Sequence, residues 1–291
     1  MRQSMGETLL MLARQLALVA LREDIGPGDI TGQALLSASR PATAEIRFKQ
    51  DGVLACIEWA KVVFAELDPQ ARVELLARDG DKLRAGTVAA RVHGSQQALV
   101  AGERTTLNLI QRMCGIATLT ARMVAACEGT RAMVLDTRKT TPGLRAFEKY
   151  AVTCGGGVNH RMGLYDEAMI KENHLYLSGL GLGEAIARIR KAKPTAFLTA
   201  ESESLEQAKL AMEAGANVVL LDDFTLDEIR QAVDLRNSHS EFGRVQLEIS
   251  GGVNLTNIEG YAKSGVERIS VGSLTHSAPA LDISMKVEHA I

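Results

Sequence analysis

The sequence predicts an α/β protein whose second half forms an incomplete β/α barrel of about six strands. After residue 130, apolar runs typical of buried strands alternate with helical patterns. Each run ends at a residue that can do chemistry, and the end-points lie 21 to 35 residues apart, the length of one strand-plus-helix unit. The end-points are Asp136, Lys171, Glu201, Asp222, Ser250 and Gly272.

The first part of the chain gives shorter signals. An amphipathic helix is expected around residues 9–21, and a second helix over residues 57–67. Short β-like segments punctuated by glycine turns are Ala44–Phe48, Val53–Cys56, Arg72–Leu76 and Val88–Val92. A long helix is predicted from Gln96 to Cys127, with a break at Gly115.

The barrel elements follow in order. The predicted strands are Met133–Leu135, Ala168–Ile170, Ala196–Leu198, Val218–Leu221, Leu247–Ile249 and Arg268–Val271. Helices are predicted over Leu205–Ala214, Leu226–Asp234 and Thr256–Lys263, and Gly215 and Gly265 end the first and last of them. Reactive residues of β/α barrels collect at the C-terminal ends of the strands, so all six end-points should share one edge.

Composition excludes several classes of partner. The net charge of −2 and the pI of about 6.3 provide no positive field for nucleic acid or an anionic membrane. The apolar N-terminal run is shorter than the ~20 residues that a membrane helix needs. The four cysteines have no metal-binding spacing and are expected to be reduced thiols of a cytoplasmic protein.

Five cationic residues lie within 40 residues of one another, among turn-forming glycine, threonine and asparagine. They are Arg138, Lys139, His160, Arg161 and Lys171. Arginine binds carboxylates and phosphates through two parallel hydrogen bonds, and lysine adds a mobile charge. This set predicts a site for a small ligand that carries several negative charges.

The motifs around these residues resemble the quinolinate phosphoribosyltransferase family, a type II phosphoribosyltransferase family. The similarity covers nearly the whole chain, in the family's order. Its segments are Leu21–Thr31, Gly102–Asn108, Asp136–Gly143, Gly155–Asp166, Ile170–His174, Ser250–Gly252 and Ile269–His276.

The resemblance implies an architecture and a reaction. The expected parts are an N-terminal α/β sandwich over residues 1–128, to which residues 276–291 return, and an incomplete barrel over residues 129–275. The expected enzyme transfers phosphoribosyl from phosphoribosyl pyrophosphate to quinolinate with Mg²⁺ and releases CO₂, giving nicotinate mononucleotide for NAD biosynthesis. A homodimer is also implied, in which Arg104 enters the partner's site.

The resemblance assigns roles to residues. Arg104, Arg138, His160, Arg161 and Lys171 would hold quinolinate. The catalytic set would be Lys139, which neutralises pyrophosphate, with Glu201 and Asp222, which face the ribose and bind Mg²⁺ directly or through water. Main-chain N–H groups of two segments would bind the 5-phosphate; their residues are Ser250, Gly251, Gly252, Ser270, Val271 and Gly272.

One position departs from the family pattern, and several residues have plainer explanations. Thr199 stands where the family usually has glutamate, which puts the outer carboxylates of the ribose region in doubt. Glu201 and Asp222 could be helix caps, and Arg104 could form a surface ion pair. We expect His174 and His276 to be structural.

Four other functions remain open on sequence alone. A relative of the molybdenum-transport-associated type would act on another anion within the same fold. A type I phosphoribosyltransferase is suggested by Val218–Asp223, but Phe224–Glu228 lacks its phosphate loop. A Schiff-base lyase would use Lys139 or Lys171. A non-catalytic sensor would keep the anion ligands and should lose the carboxylates for Mg²⁺.

Overall fold

The computed structural model describes residues 4–290, apart from the side chains of residues 289 and 290. Residues 1–3 and 291, which belong to the predicted first domain and its returning segment, lie outside the described residues. The chain divides into two compact units. The first contains the chain up to Ala121, residues Ala146–Gly156 and the chain from Ala278 onward; the second contains Arg122–Arg145 and Gly157–Ser277.

The first unit contains the antiparallel part of the fold. Its strands are β1 (Pro41–Phe48), β2 (Gly52–Val53), β3 (Arg72–Leu75), β4 (Lys82–Leu83), β5 (Val88–Ser95) and, at the end of the chain, a strand over Ile283–Ala290. Its helices are α1 (Glu7–Ile25), α2 (Ile30–Leu35), α3 (Trp59–Leu67), most of α4 (Gln96–Ala126) and α5 (Arg145–Cys154). Four of the strands form one sheet in the order C-terminal strand, β1, β5, β3.

The core of the first unit follows from alternation in β1. Ala42, Ala44, Ile46 and Phe48 are buried, and the residues between them are more exposed, as expected for a strand with one covered face. In the same unit, Trp59 packs edge-on against Phe147, with ring centroids 6.4 Å apart, and its indole N–H donates to the Thr105 carbonyl at 3.0 Å. Burial of the Trp59 ring and the hydrogen bond of its indole N–H therefore both hold α3 in place.

The predicted break of the long helix at Gly115 is wrong. The helix α4 continues through this residue, and the returning chain at Pro279 crosses the helix there. A Cβ atom on Gly115 would lie 2.0 Å from the Pro279 carbonyl oxygen. The glycine permits this close approach and does not interrupt the helix.

The second unit contains a parallel six-stranded sheet, so the predicted α/β fold with about six barrel strands is confirmed. Its strands are β6 (Met133–Leu135), β7 (Ala168–Ile170), β8 (Leu198–Ser202), β9 (Val218–Asp222), β10 (Gln246–Ser250) and β11 (Arg268–Ser270); the C-terminal strand of the first unit is therefore β12. The order β6-β11-β10-β9-β8-β7 leaves β6 and β7 at the edges. Val158 forms an isolated parallel bridge with Leu135 of β6.

Helices connect these strands as expected for β/α units. They are α6 (Glu172–Ser178), α7 (Leu182–Ala192), α8 (Leu205–Glu213), α9 (Leu226–Ser238), α10 (Ile258–Ala262) and α11 (Ser273–His276), with a 3₁₀ turn at Ser240–Phe242. The strand predicted over Ala196–Leu198 begins at Leu198 and runs through Glu201. No helix within residues 4–290 combines the length and apolar character needed to cross a bilayer.

Candidate functional site

A pocket of about 650 Å³ opens at the C-terminal ends of the barrel strands, within the second unit. It brings together most of the residues predicted from the sequence: Arg138, Lys139, His160, Arg161, Lys171, Asp222, Ser250, Gly251, Gly252, Ser270 and Gly272. Arg104, Glu201 and Val271 are not among its lining residues. Four of the six predicted strand end-points, Lys171, Asp222, Ser250 and Gly272, therefore lie at one pocket, and Asp136 is not among its lining residues either.

The loop after β6 presents Arg138 and Lys139 to the pocket. The Lys139 N–H donates to the Thr137 hydroxyl at 3.1 Å, which tightens the turn. Arg145 braces the same loop, because its guanidinium donates to the Thr140 hydroxyl at 2.9 Å and to the carbonyls of Arg138 and Met162. Arg145 also lines the pocket.

Two arginines lie close together on the pocket wall. Arg161 is buried, and its guanidinium donates to the Glu167 carbonyl at 3.1 Å. Burial, together with the positive charge of Arg138, lowers the pKa of Arg161, while Glu167 opposes this effect. The two guanidinium groups therefore repel each other, and an anion bound between them would relieve that repulsion.

His160 is held by a buried carboxylate that the sequence analysis missed. Its Nε2 lies 3.1 Å from Glu248, which is fully buried in β10 and also accepts from Ser270 and Arg268. Burial disfavours the charged form of Glu248, but the hydrogen bonds from His160 and Ser270 and the charge of Arg268 outweigh it. They hold the pKa of the Glu248 carboxyl below its ordinary value.

Lys171 forms an ion pair with Glu201 at the ends of β7 and β8. The Lys171 side chain is 44% exposed and that of Glu201 is 10% exposed, so the ammonium faces the open side. The Lys171 N–H donates to His174 Nδ1 at 3.0 Å, which gives His174 the structural role of fixing the start of α6.

Glu201 and Asp222 are the carboxylates that could hold a metal ion. Glu201 pairs in register with Leu220, and Leu220 and Asp222 both line the pocket, so the two carboxylates share a face of the sheet. Carboxylate oxygens suit Mg²⁺, which commonly uses one or two of them plus substrate phosphates and waters. The described residues contain no group of three or more potential metal ligands. Two carboxylates alone would leave most of the coordination of Mg²⁺ to waters and to the phosphates of a ligand.

The Ser250–Gly252 segment forms a turn at the end of β10 that depends on its two glycines. Gly251 and Gly252 have φ values of 98° and 58°, which only glycine adopts easily. A Cβ atom on Gly251 would lie 1.9 Å from an Asp223 carboxylate oxygen. Among the described residues, no acceptor is found for the N–H groups of Gly251 and Gly252. Successive free N–H groups of this kind form concave anion sites.

The segment after β11 differs from its expected arrangement at one residue. The Val271 N–H donates to the Leu135 carbonyl at 2.9 Å and its side chain is buried, so this N–H group is already used within the sheet. Gly272 lacks the side chain that would lie 3.2 Å from Lys139 Cδ and 3.3 Å from His276 Nε2. His276, expected to be structural, therefore lines the pocket beside Lys139.

Arg104 lies in the part of α4 that belongs to the first unit. Its side chain is 59% exposed and pairs with the adjacent Glu103 at 2.6 Å. The surface ion pair that we weighed from the sequence is therefore present.

Several lining residues were missed by sequence reasoning, and two carried a usable signal. Glu248 is a charge inside an apolar strand run, two residues before Ser250 and hence on the same face. Arg145 lies two residues after the Asp136–Gly143 segment, but no role was assigned to it from the sequence. Thr137, Met169, Leu220, Val253 and Ser273 also line the pocket, and nothing in the sequence distinguishes them from neighbouring loop or strand residues.

Together, the fold and the pocket define an α/β protein of the β/α-barrel type with a cationic, carboxylate-flanked site at the C-terminal edge of its strands. Comparison with protein families gives two matches along the chain. The sequence model described as quinolinate phosphoribosyl transferase, N-terminal domain, matches residues 29–114. The one for the C-terminal domain of the same enzyme matches residues 116–286.

Relatives with similar sequences cover the chain almost completely. A probable nicotinate-nucleotide pyrophosphorylase [carboxylating] of Bacillus subtilis (strain 168) is 43% identical, over 91% of this chain and 90% of its own length. The Mycobacterium leprae (strain TN) nicotinate-nucleotide pyrophosphorylase [carboxylating] is 41% identical, over 94% of this chain and 96% of its own.

Solved structures of similar sequence have the same fold as this chain. The nicotinate-nucleotide pyrophosphorylase from Francisella tularensis superposes with a TM-score of 0.90 at 35% identity, covering 96% of each chain. NadC from Streptococcus pyogenes gives a TM-score of 0.90 at 37% identity, covering 98% of this chain and all of the other. The chain belongs to the quinolinate phosphoribosyltransferase family.

Proposed function

We propose that this chain transfers the phosphoribosyl group of phosphoribosyl pyrophosphate to quinolinate and releases CO₂, forming nicotinate mononucleotide and pyrophosphate for NAD biosynthesis. Family membership supports the reaction class, and a similar protein of Nicotiana glauca is named quinolinate phosphoribosyltransferase [decarboxylating]. The observation that carries the choice of acceptor is the pair Arg138 and Arg161. Both guanidinium groups line one pocket together with the Lys171 ammonium, and three positive charges suit a dianion better than a monoanion.

The cationic wall would hold the two carboxylates of quinolinate. Arg138 and Arg161 each offer a planar guanidinium group, and Lys171 adds a charge from the C-terminal end of β7. His160 stands beside Arg161 and completes the wall. Binding both carboxylates would fix the ring nitrogen relative to the phosphoribosyl group, which converts the transfer into a reaction between positioned partners.

The chemistry that follows balances without a covalent enzyme intermediate. The ring nitrogen forms a bond to C1 of the ribose as the bond from C1 to pyrophosphate breaks. The carboxylate at C2 of the ring then leaves as CO₂, its bonding electron pair stays on C2 beside the alkylated nitrogen, and C2 takes a proton. The protein contributes orientation and fixed charges to these steps.

The carboxylate side of the pocket would serve the ribose and the leaving group. Positive charge grows on the sugar and negative charge on pyrophosphate, and Asp222 and Lys139, which both line the pocket, would stabilise them. Asp222 and Glu201 would hold Mg²⁺, which neutralises pyrophosphate when bound. The 5-phosphate would accept from the free N–H groups of Gly251 and Gly252, with Ser250, Ser270 and Gly272 around it.

A homodimer in which Arg104 enters the partner's site belongs to the same proposal. Arg104 is exposed, and its ion pair with Glu103 is a surface pair of low stability. In the second unit, four large side chains are more than 70% exposed: Leu164, Tyr165, Tyr176 and Leu177. Exposed apolar residues of this size favour a protein interface. The four free, buried cysteines favour a cytoplasmic location.

One assay tests the proposal directly. Purified protein is given phosphoribosyl pyrophosphate and Mg²⁺ with quinolinate or with nicotinate, and both mononucleotide and CO₂ are measured. Product and CO₂ from quinolinate alone are expected, because nicotinate lacks the second carboxylate. If neither acceptor is turned over while calorimetry still shows quinolinate binding, the proposed enzymatic activity is wrong. The chain would then be a non-catalytic sensor. Reduction with borohydride should trap no substrate on lysine, whereas an adduct would favour the lyase.

A further inference from the structure

Glu248 is a fully buried carboxylate at the wall of the pocket to which the reaction above gives no role. One of its oxygens, Oε1, accepts from both His160 Nε2 and the Ser270 hydroxyl. The other, Oε2, accepts from Arg268 Nε at 2.6 Å. A single carboxylate therefore connects the loop that carries His160 with the strand end that carries Ser270.

The hydrogen bonds of His160 define which ring nitrogen carries the proton. The main-chain N–H of Arg161 points at His160 Nδ1 at 2.8 Å. A main-chain N–H can only donate, so Nδ1 must be the unprotonated nitrogen. The ring proton is therefore on Nε2, where Glu248 accepts it.

We infer that Glu248 is a positioning residue for both halves of the pocket, a role that rests on the proposed function. It fixes His160 in the Nε2-protonated tautomer, so that Nδ1 can accept from the main-chain N–H of Arg161. This hydrogen bond positions Arg161, which is proposed to bind quinolinate. Glu248 also fixes the Ser270 hydroxyl on the phosphate side. Loss of Glu248 should therefore weaken the binding of both substrates, although its own side chain is fully buried.

The surroundings of Glu248 show why glutamine cannot replace it. Three donors, from His160, Ser270 and Arg268, occupy both of its oxygens. If a glutamine at position 248 turned its oxygen to His160 and Ser270, its NH₂ group would face the Arg268 donor. If it turned the other way, its NH₂ group would face the Nε2–H of His160. Neither orientation satisfies all three donors.

The tautomer is measured first, in full-length unliganded protein labelled with ¹⁵N-histidine, using His160→Gln to assign the signals. A protected, downfield Nε2–H of His160 is expected in the wild type. In Glu248→Met, which removes both acceptors, this proton should exchange rapidly with water. A protonated Nδ1 in the wild type, or an unchanged signal in Glu248→Met, overturns the inference.

Kinetics then separate positioning from simple stability. Glu248→Gln should raise the KM of quinolinate and that of phosphoribosyl pyrophosphate, each by about ten- to hundredfold. Glu267→Gln is the matched control, because Glu267 is a half-buried carboxylate paired with Arg236 at the other end of the same strands. It should lower the thermal midpoint and leave both KM values within about twofold. A rise in only one KM for Glu248→Gln contradicts the inference.

A second substitution keeps the test informative if Glu248→Gln folds poorly. In Glu248→Gln/Arg268→Gln the two amides can pair with each other, so one glutamine oxygen stays available for His160 and Ser270. This variant should recover most of the affinity, and no recovery counts against the inference. If the wild type turns over no substrate, the proposed function fails; the tautomer and calorimetry with quinolinate and inorganic phosphate still test Glu248.

Discussion

The Lys171 ammonium and the Glu201 carboxylate form an ion pair between the ends of two neighbouring strands, β7 and β8. This pair joins the cationic wall of the pocket to its carboxylate side. An anionic ligand must compete with Glu201 for Lys171, and a cation must compete with Lys171 for Glu201. The two proposed substrates would therefore affect each other's binding through this contact.

Lys171→Ala and Arg138→Ala should each lower quinolinate affinity by at least about thirtyfold, because each removes a charged partner of a carboxylate inside the pocket. Calorimetry measures the affinity, and circular dichroism checks that the fold survives. Lys263→Ala is a suitable control, since Lys263 forms an exposed ion pair with Glu259. Unchanged affinity in either pocket variant would remove that residue from the site.

Asp222→Asn should impair Mg²⁺-dependent turnover more than quinolinate binding. Asp222 lines the pocket from the end of β9, whereas Arg138 and Arg161 lie on the chain between β6 and β7, so kcat/KM for phosphoribosyl pyrophosphate should fall about hundredfold. The quinolinate dissociation constant should change by less than about twofold. Asp227→Asn, at an exposed residue that pairs with Arg230, is the control. A full-rate Asp222→Asn enzyme would contradict the assigned role.

The strand end-points could be predicted from sequence because two constraints coincide there. Buried parallel strands are apolar, so the first polar residue after each run marks both the strand end and the site edge. That logic located Lys171 and Asp222. It missed Glu248, because a residue inside a strand is hidden from an end-point rule, and its partners Ser270 and Arg268 come from another strand.

The helix break at Gly115 could not be predicted correctly from local sequence. Glycine has a low helix propensity, so the local sequence predicts a break. The glycine is needed because the main chain at Pro279, 164 residues later, passes too close for a side chain. The α5 helix was missed for a related reason. Three of its polar residues, Glu148, Lys149 and Tyr150, are buried or half-buried, so its apolar pattern is interrupted.

Gly115→Ala should lower the free energy of unfolding by about 1–3 kcal/mol, because the new methyl group meets a main-chain carbonyl that cannot move away easily. Gly183→Ala is the matched helical substitution. Its Cβ would find only Leu210 Cδ1, at 3.7 Å, so it should stabilise the protein by up to about 1 kcal/mol. Urea unfolding measures both. Similar effects of the two substitutions would contradict the explanation of Gly115.

Asp79 should give the first unit a pH-dependent stability. Burial raises the pKa of Asp79 above its ordinary value of 3.8, although the Ile57 N–H and the Tyr150 hydroxyl donate to it. The folded state therefore holds this proton more tightly than the unfolded state. The resulting stabilisation is complete below pH 3.8 and is lost as pH rises through the folded pKa.

Relative to Asp79→Asn, the wild type should thus lose stability as pH rises from about 4 to 7, by at most about 1.4 kcal/mol per pH unit. Urea unfolding of both proteins across this range measures the difference. A difference that stays constant, or that grows in favour of the wild type with rising pH, would contradict the raised pKa.

Mixing two inactive variants should test whether Arg104 acts in the partner's site. If it does, Arg104→Ala and Lys171→Ala are each inactive alone, because every homodimeric site lacks one cation. In a heterodimer, one site has both Lys171 and the partner's Arg104, whereas the other has neither. Random reassortment after mild denaturation should therefore restore about a quarter of wild-type activity. Arg104→Ala mixed with Arg104→Ala/Lys171→Ala is the control and should stay inactive. If the first mixture also stays inactive, although heterodimers are detected by mass spectrometry, Arg104 does not act across the interface.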